Sequence, residues 1–122
     1  MAELLQVSMA APDLDRSAEF YGLLLGEEPA ATFDPPGLVF FLVCGVRLLL
    51  SRQGESSTVY VKVDRLDEAI ERLPQGTELV SAPHAIFKHE DGVLGPAGTE
   101  EWQAFVRDPA GNLVGLVELR SA

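Results

Sequence analysis

Few side chains in this sequence are placed to act as acids, bases or metal ligands. The histidines and several carboxylates cluster on or beside one polar segment, as His84, His89, Glu90, Asp91, Glu100 and Glu101. Imidazole and carboxylate groups do bind divalent metals. None of these residues, however, has the tight spacing of a known metal motif. We therefore interpret the segment as polar side chains on an exposed loop.

His84 is a candidate in its own right. It lies in "APHAIF", where a predicted strand ends. Because an imidazole titrates near neutral pH, His84 could bind a ligand or act as a general base. The alternative is a histidine held at the rim of the site by a hydrogen bond, and both interpretations stay open.

Cys44 is the single cysteine. One cysteine excludes an internal disulfide and a cysteine-based zinc cluster. It ends an apolar strand beside Gly45 and has no basic neighbour in sequence to activate it. We predict that Cys44 is a small buried hydrophobic residue rather than a nucleophile. The sequence also contains no nucleophile elbow, P-loop or dinucleotide-binding fingerprint.

The chain is acidic, with nine basic and nineteen acidic residues and a net charge of -10. Nucleic-acid binding needs a basic surface, so this balance argues against it. Acidity is weakly compatible with a cationic ligand, although solubility explains it more simply. No apolar run approaches the roughly 18 residues that span a bilayer, and the first residues do not resemble a secretion signal. We predict a cytoplasmic protein without a membrane partner.

The predicted secondary structure repeats along the chain. A strand in "LLQVSMAA" precedes a helix with Asp13 as N-cap and Gly26 as its stop, and then strands near 28–34, in "LVFFLVC" and in "VRLLLS". After a polar linker at 53–57, the strand "TVYVKV" precedes a helix capped by Asp64 and ended by Pro74, with strands near 77–82, 101–107 and 113–119. The pattern predicts one domain, 1–122, made of module one (1–52) and module two (58–122), each β-α-β-β-β.

The two modules align residue by residue. Gln6 matches Thr58, and Leu49 matches Gly115. Directly before the last strand, "DPAGN" has the composition of a type I turn with a bulge. We assign this turn to folding and not to chemistry.

Three segments in this order resemble the vicinal oxygen chelate superfamily: "QVSMAAPDLDRSAEFYGLLLG", "VKVDRLDEAIERL" and "FVRDPAGNLVGLVE". That superfamily includes glyoxalase, methylmalonyl-CoA epimerase, extradiol dioxygenases, fosfomycin-resistance enzymes and bleomycin-resistance proteins. The resemblance covers nearly the whole chain. It implies an α+β fold whose paired modules curl into a mixed-sheet cup that holds the site, usually in a homodimer. It does not imply any one reaction.

The resemblance also implies where metal ligands would lie. In metal-dependent members they come from the first and last strands of each module, which correspond here to Gln6, Thr58, Leu49 and Gly115. A divalent ion needs roughly three or four oxygen or nitrogen donors. Only Gln6 is suited to donate, since leucine and glycine have no donor side chain. We therefore predict no metal and no other cofactor.

Strand alternation extends these positions to a predicted cavity face. The face would include Lys62, and we predict that the ligand-binding residues are Gln6, Ser8, Arg47, Leu49, Thr58, Tyr60, His84, Trp102, Leu113 and Gly115. Trp102 is the candidate for a stacking wall. The glycine-rich segment 89–100 is either a mobile lid or an ordinary loop.

Three functional hypotheses follow. The first is a metal-free protein that binds a small organic molecule, similar to the bleomycin-resistance branch, with antibiotic sequestration as one role. The second is a lyase, isomerase or dioxygenase, glyoxalase-like or methylmalonyl-CoA-epimerase-like, that uses unidentified metal ligands or acid–base chemistry by His84 with Gln6 or Tyr60. The third is a dimeric scaffold without a ligand. Whether the protein is an enzyme stays open.

Overall fold

The computed structural model describes residues 4–121 and folds them into two four-stranded sheets. Module one contains β1 (Gln6–Ala10), α1 (Leu14–Leu25), β2 (Ala31–Phe33), β3 (Leu38–Val43) and β4 (Val46–Ser51). Module two contains β5 (Val59–Lys62), α2 (Leu66–Arg72), β6 (Leu79–Lys88), β7 (Thr99–Arg107) and β8 (Leu113–Ser121). The strand orders are β1-β4-β3-β2 and β5-β8-β7-β6, and in each sheet the first pair is parallel. The predicted α+β class with two β-α-β-β-β modules is confirmed.

The two helices begin differently. At α1, Asp13 Oδ1 accepts a hydrogen bond from the Arg16 backbone N–H at 3.2 Å, and Gly26 closes the helix with a φ of 67°. Both features were predicted. The prediction of Asp64 as the α2 cap is wrong, because the N-cap is Arg65 and makes no side-chain cap bond. Instead, the Leu66 N–H donates to Glu118 Oε1 at 2.9 Å, so the cap of α2 comes from β8.

One face of each sheet, the helix face, packs into a shared core. Side chains from the helices and from the helix faces of both sheets form one hydrophobic cluster, with fully buried members that include Met9, Phe20, Phe41, Leu50, Leu66, Val114 and Leu116. The opposite face of each sheet, the open face, has no helix against it. Its exposed apolar side chains include Leu42 (56%) and Tyr60 (59%). The two open faces therefore lie on the outside of the chain.

The turn between β7 and β8 joins the modules as well as the two strands. Asp108 is buried, and its Oδ2 accepts hydrogen bonds from the Tyr21 hydroxyl at 2.8 Å and from Asn112 Nδ2 at 2.7 Å. Asn112 Nδ2 also donates to the Ala10 carbonyl at 2.8 Å. Burial and the neighbouring Asp108 raise the pKa of the Tyr21 phenol well above its ordinary value. The turn thus anchors module two to α1 and β1, a role that the sequence did not reveal.

The β3–β4 connection corrects the prediction for Cys44. Cys44 has a φ of 49° and Gly45 a φ of 82°, so both residues form the tip of a two-residue hairpin. Cys44 is exposed there and not buried. The apolar run beside it made it look like part of the strand, whereas the tight turn places it beyond the last paired residue, Val43.

The β6–β7 hairpin is longer than predicted. β6 runs to Lys88, past the predicted end near residue 82, and the connection spans residues 89–98. No helix within residues 4–121 is long and apolar enough to cross a membrane. The ends of the predicted domain, residues 1–3 and 122, lie outside the described residues.

Candidate functional site

The open faces carry most of the predicted ligand-binding residues. In module one, β1 and β4 run side by side with Gln6 beside Arg47 and Ser8 beside Leu49. Their alternate neighbours Val7, Met9, Leu48 and Leu50 pack into the core, so these four predicted residues point the other way. In module two, Tyr60 lies beside Gly115 on the face opposite Val59 and Val61. Leu113 shares that face with Gly115, and Thr58 is exposed just before β5.

In module one the open face combines a cation with aromatic and aliphatic surface. The Arg47 guanidinium lies 5.8 Å from the centre of the Phe40 ring. Phe40 in turn contacts Phe33 edge to face, with ring centroids 6.1 Å apart. Leu42, on the same face of β3, is largely exposed. This surface could hold the apolar body of an organic molecule, with Arg47 and Gln6 as polar contacts at one end.

In module two the open face is centred on a tyrosine that covers a glycine. A Cβ at Gly115 would lie 2.6 Å from Tyr60 Cδ2 and 3.1 Å from Phe105 Cε1. The Tyr60 ring meets the Phe105 ring edge to face, with centroids 5.7 Å apart. Gly115 is buried beneath these rings. Its role is to let Tyr60 reach across β8 to Phe105, and a ligand would meet the tyrosine and not the glycine.

Trp102 lies on the wrong face for the stacking wall that we predicted. It packs against the hydrophobic core, and its β8 neighbour is Glu118, the residue that caps α2. Arg120 covers the ring at 3.9 Å, and the indole N–H donates to Glu100 Oε1 at 2.6 Å. The register of β7 decides this placement, because Gln103 and Phe105 occupy the open face and Trp102 alternates with them.

His84 lies within β6, opposite Gln103 of β7, and is exposed. Its Nδ1 is 2.8 Å from the Ala82 carbonyl and 3.5 Å from Ser81 Oγ. A carbonyl can only accept, so Nδ1 carries the proton in this contact and the lone pair of Nε2 is left for another partner. The geometry thus combines the two interpretations, since His84 is held by a hydrogen bond through Nδ1, which leaves Nε2 for a ligand.

His89 forms a buried pair with Glu101 that the sequence interpretation missed. His89 Nε2 lies 2.8 Å from Glu101 Oε1, and Glu101 Oε2 accepts from Gln103 Nε2 at 2.7 Å. His89 is only 4% exposed, because the Phe87 ring packs against the imidazole with centroids 4.5 Å apart and a Cβ at Gly95 would lie 2.7 Å from its Cε1. The pair holds segment 89–98 against β7. Alternation of Glu101 with Gln103 and Phe105 was the signal that could have placed it on the open face.

An apolar cavity of about 360 Å³ lies where the modules meet. It is lined on the helix faces by Val7, Leu48, Val59 and Val61, and Tyr60 and Thr58 form part of its boundary. The cavity holds no charged side chain among its lining residues. It is therefore a second place where an apolar group could bind.

The residues at the superfamily's metal positions do not fit a divalent cation. Gln6 offers one amide and Thr58 one hydroxyl, while Leu49 and Gly115 offer no side-chain donor. The position at Gly115 is also covered by the Tyr60 ring. Within residues 4–121, no group of three or more His, Cys, Asp or Glu side chains converges elsewhere. We derive no chemistry through a metal at this site.

Solved structures share this architecture. A glyoxalase/bleomycin resistance protein/dioxygenase from Alicyclobacillus acidocaldarius matches with a TM-score of 0.65 at 19% identity, over 96% of this chain and 91% of that one. Lactoylglutathione lyase from Agrobacterium tumefaciens matches with a TM-score of 0.67 at 23% identity, over 97% and 94%. TioX from Micromonospora sp. ML1 matches with a TM-score of 0.67 at 20% identity, over 99% and 100%. The chain has the vicinal oxygen chelate fold.

The comparisons show the fold and no particular function. No protein-family model matches the chain, and no curated protein matches it. At these identities a shared vicinal oxygen chelate fold does not transfer an activity, since the neighbours themselves carry different names. The resemblance carried by the three sequence motifs is confirmed as a likeness of fold, and the function has to be argued from the side chains of the open faces.

Proposed function

We propose that this protein is a metal-free, homodimeric binding protein for a small organic molecule. The open face of module one in one copy and the open face of module two in the other enclose the ligand. Sequestration of an antibiotic is the role that fits such a protein best, and its place is the cytoplasm. The observation that carries the proposal is that both open faces, with their exposed apolar side chains, point away from the chain's single core.

The arrangement of the core explains why a second copy is needed. The helix faces of both sheets are committed to one hydrophobic cluster, and the Tyr21–Asp108 hydrogen bond ties α1 to the β7–β8 turn. One chain cannot turn its two open faces toward each other without breaking that core. A second copy can cover both faces at once, which buries Leu42 and Tyr60 in a symmetric pair of sites.

The side chains of the open faces suit binding by shape and a few hydrogen bonds. Phe40, Leu49 and Leu42 supply apolar surface in module one, and Tyr60 with Phe105 supplies it in module two. Gln6 and Arg47 supply hydrogen-bond donors. Ligand pockets commonly combine mostly apolar walls with a few polar groups.

The proposal is tested by oligomeric state and by ligand-induced stabilisation. Sedimentation should give two chains per particle, and thermal-shift screening of an antibiotic panel that includes bleomycin should reveal at least one compound that raises the melting temperature. Gln6→Trp should abolish that rise, because the indole fills the open face beside Arg47. Arg16→Trp, on the exposed side of α1, is the matched control and should keep it.

A strictly monomeric protein that no compound stabilises would contradict the proposal. So would a compound whose effect survives Gln6→Trp and is lost instead in Val59→Trp, because that result would move binding to the apolar cavity between the modules.

A second candidate function is metal-free acid–base catalysis, and the free Nε2 of His84 favours it. His84 pairs with Gln103, a residue of the module-two open face, so a ligand in the proposed site could reach this histidine. His84→Gln should then abolish turnover of a bound substrate while leaving its affinity within about twofold. Equal activity of the parent protein and His84→Gln would exclude His84 as the base. Stoichiometric metal in protein purified without chelator would instead favour the metal-dependent enzyme.

A further inference from the structure

Charge is distributed unevenly between the open faces and the rest of the chain. The chain has a net charge of -10, yet among the described residues the strands contribute only one acidic side chain to the open faces, Glu101. That carboxylate is already occupied by His89 and Gln103. Within residues 4–121, the other acidic residues lie on helices, in connections or on helix faces. The open faces therefore carry far fewer carboxylates than the rest of the described chain.

Arg47 is the cation of the module-one open face. Its guanidinium lies over the Phe40 ring, 5.8 Å from the ring centroid, and Arg47 is exposed to solvent. Among residues 4–121 it forms no ion pair. The Gln6 amide is its neighbour in the β1–β4 register. A guanidinium beside an amide, with an aromatic ring below, matches a planar oxyanion attached to an apolar body.

Lys62 is a cation of the module-two open face, on a different strand from the one that carries Arg47 in module one. It follows Tyr60 by two residues on β5, so it shares the open face, and its register neighbour on β8 is Val117. Lys62 is exposed and likewise has no carboxylate partner in the described part of the chain. Arg107, at the end of β7, differs because it donates to the Gly111 carbonyl at 3.2 Å.

We infer that the ligand of the open faces is an organic anion: a carboxylate, sulfonate or phosphate carried on an apolar, ring-sized body. This inference rests on the proposed function and specifies its ligand class. Arg47 and Gln6 bind the anionic group, the aromatic surface around Phe40 and Tyr60 binds the body, and Lys62 adds positive potential from module two.

Two fluorescent probes with the same ring system test the inference. 8-Anilinonaphthalene-1-sulfonate carries a sulfonate, and N-phenyl-1-naphthylamine lacks it. We expect the sulfonate to bind the intact protein at least tenfold more tightly than the neutral amine, and its affinity to fall with added salt. Competition by aromatic carboxylates and by phosphate monoesters then separates the possible anionic groups.

Variants that remove a positive charge show which residues bind the sulfonate. Arg47→Gln should weaken sulfonate binding about tenfold, the loss typical of one charge-assisted contact, and Lys62→Gln should weaken it about threefold. Neither change should alter binding of the neutral amine. Arg16→Gln removes a cation of the same kind from α1 and is the matched control, for which both affinities should stay unchanged.

The outcomes separate this inference from the proposed function. Equal binding of both probes, abolished by Gln6→Trp but unaffected by Arg47→Gln, would overturn the anion inference and leave the binding site in place. Binding of either probe that Gln6→Trp does not affect would overturn both. No binding of the sulfonate would overturn the anion inference alone, since the proposed function is decided by sedimentation and by the antibiotic panel.

Discussion

The two modules use the same backbone positions in opposite ways. In module one, Leu49 fills the centre of the open face between Ser8 and Phe40. In module two the corresponding position is Gly115, and Tyr60 reaches over it from the neighbouring strand to Phe105. Module one thus has a large residue on its last strand, Leu49, beside the small Ser8 on its first strand. Module two has the reverse, with Gly115 on its last strand beside the large Tyr60 on its first strand. Both solutions give an apolar surface at these two positions of the shared fold.

The turns that precede the last strands differ as sharply. Module one uses a two-residue hairpin whose tip, Cys44, is exposed. Module two uses a turn around Asp108, which accepts four hydrogen bonds, from Tyr21, from the Asn112 side chain and from the Ala110 and Asn112 backbone N–H groups. One turn only reverses the chain, whereas the other also holds the modules together.

Asp108→Ala should therefore have the largest effect on stability. Four donors lose their acceptor, of which the Tyr21 hydroxyl is buried and the other three are part-buried. An unpaired buried donor costs roughly 1–3 kcal/mol and each part-buried hydrogen bond contributes about 0.5–1 kcal/mol, so we expect the free energy of unfolding to fall by about 3–5 kcal/mol. Urea denaturation followed by circular dichroism measures it. Cys44→Ser, in the module-one turn, is the control and should stay within about 0.5 kcal/mol of the parent protein. A loss below about 1 kcal/mol for Asp108→Ala would show that the network does not join the modules.

The next effect comes from placing the module-one residue in module two. In Gly115→Leu the new side chain starts 2.6 Å from Tyr60 Cδ2, so the tyrosine must leave Phe105. We expect a loss of about 1–3 kcal/mol, as for other overpacked sites. Denaturation of the purified variant checks it.

A second substitution shows whether the contact with Tyr60 is the cause. Tyr60→Ser with Gly115→Leu recreates the Ser–Leu–Phe arrangement of module one and should recover most of the stability that Gly115→Leu loses. The coupling free energy of the double-mutant cycle should reach about 1 kcal/mol. Additive losses would mean that the two positions do not share one packing solution.

The sequence predicted the helices and strands better than it predicted the sheet face on which each side chain lies. Local signals such as Asp13, Gly26 and the duplicated strand–helix pattern act over a few residues, so they could be interpreted directly. Period-two alternation then assigned Gln6, Ser8, Arg47 and Leu49 correctly to one face. It was not applied to Trp102, where the same rule on β7 would have placed the indole on the helix face, against the core.

Contacts between distant segments were not predictable in this way. Glu118 caps α2 across 52 residues, and Asp108 meets Tyr21 across 87. His89 is buried by Gly95 and Phe87 rather than by any local pattern. Each of these side chains is polar and looks like a surface residue until the fold brings its partner to it.

The helix caps give the smallest and most specific test. Burial alone would raise the pKa of Glu118, but the hydrogen bond from Leu66 N–H and the contacts with Arg120 outweigh it and lower the pKa below its ordinary value of 4.5. A lowered folded-state pKa stabilises the fold above pH 4.5, and that contribution disappears as the pH falls through the folded-state value. Glu118→Gln should therefore be less stable than the parent protein at pH 7, and its stability should decline less steeply than that of the parent as the pH falls.

Asp13→Ala removes the local cap of α1 and is the control. It should cost about 1 kcal/mol of stability, while the part of the pH dependence that Glu118 contributes stays as in the parent. Melting temperatures of the three proteins from pH 7 to pH 3 measure both effects, and parallel curves for Glu118→Gln and the parent would show that Glu118 does not carry the cap of α2.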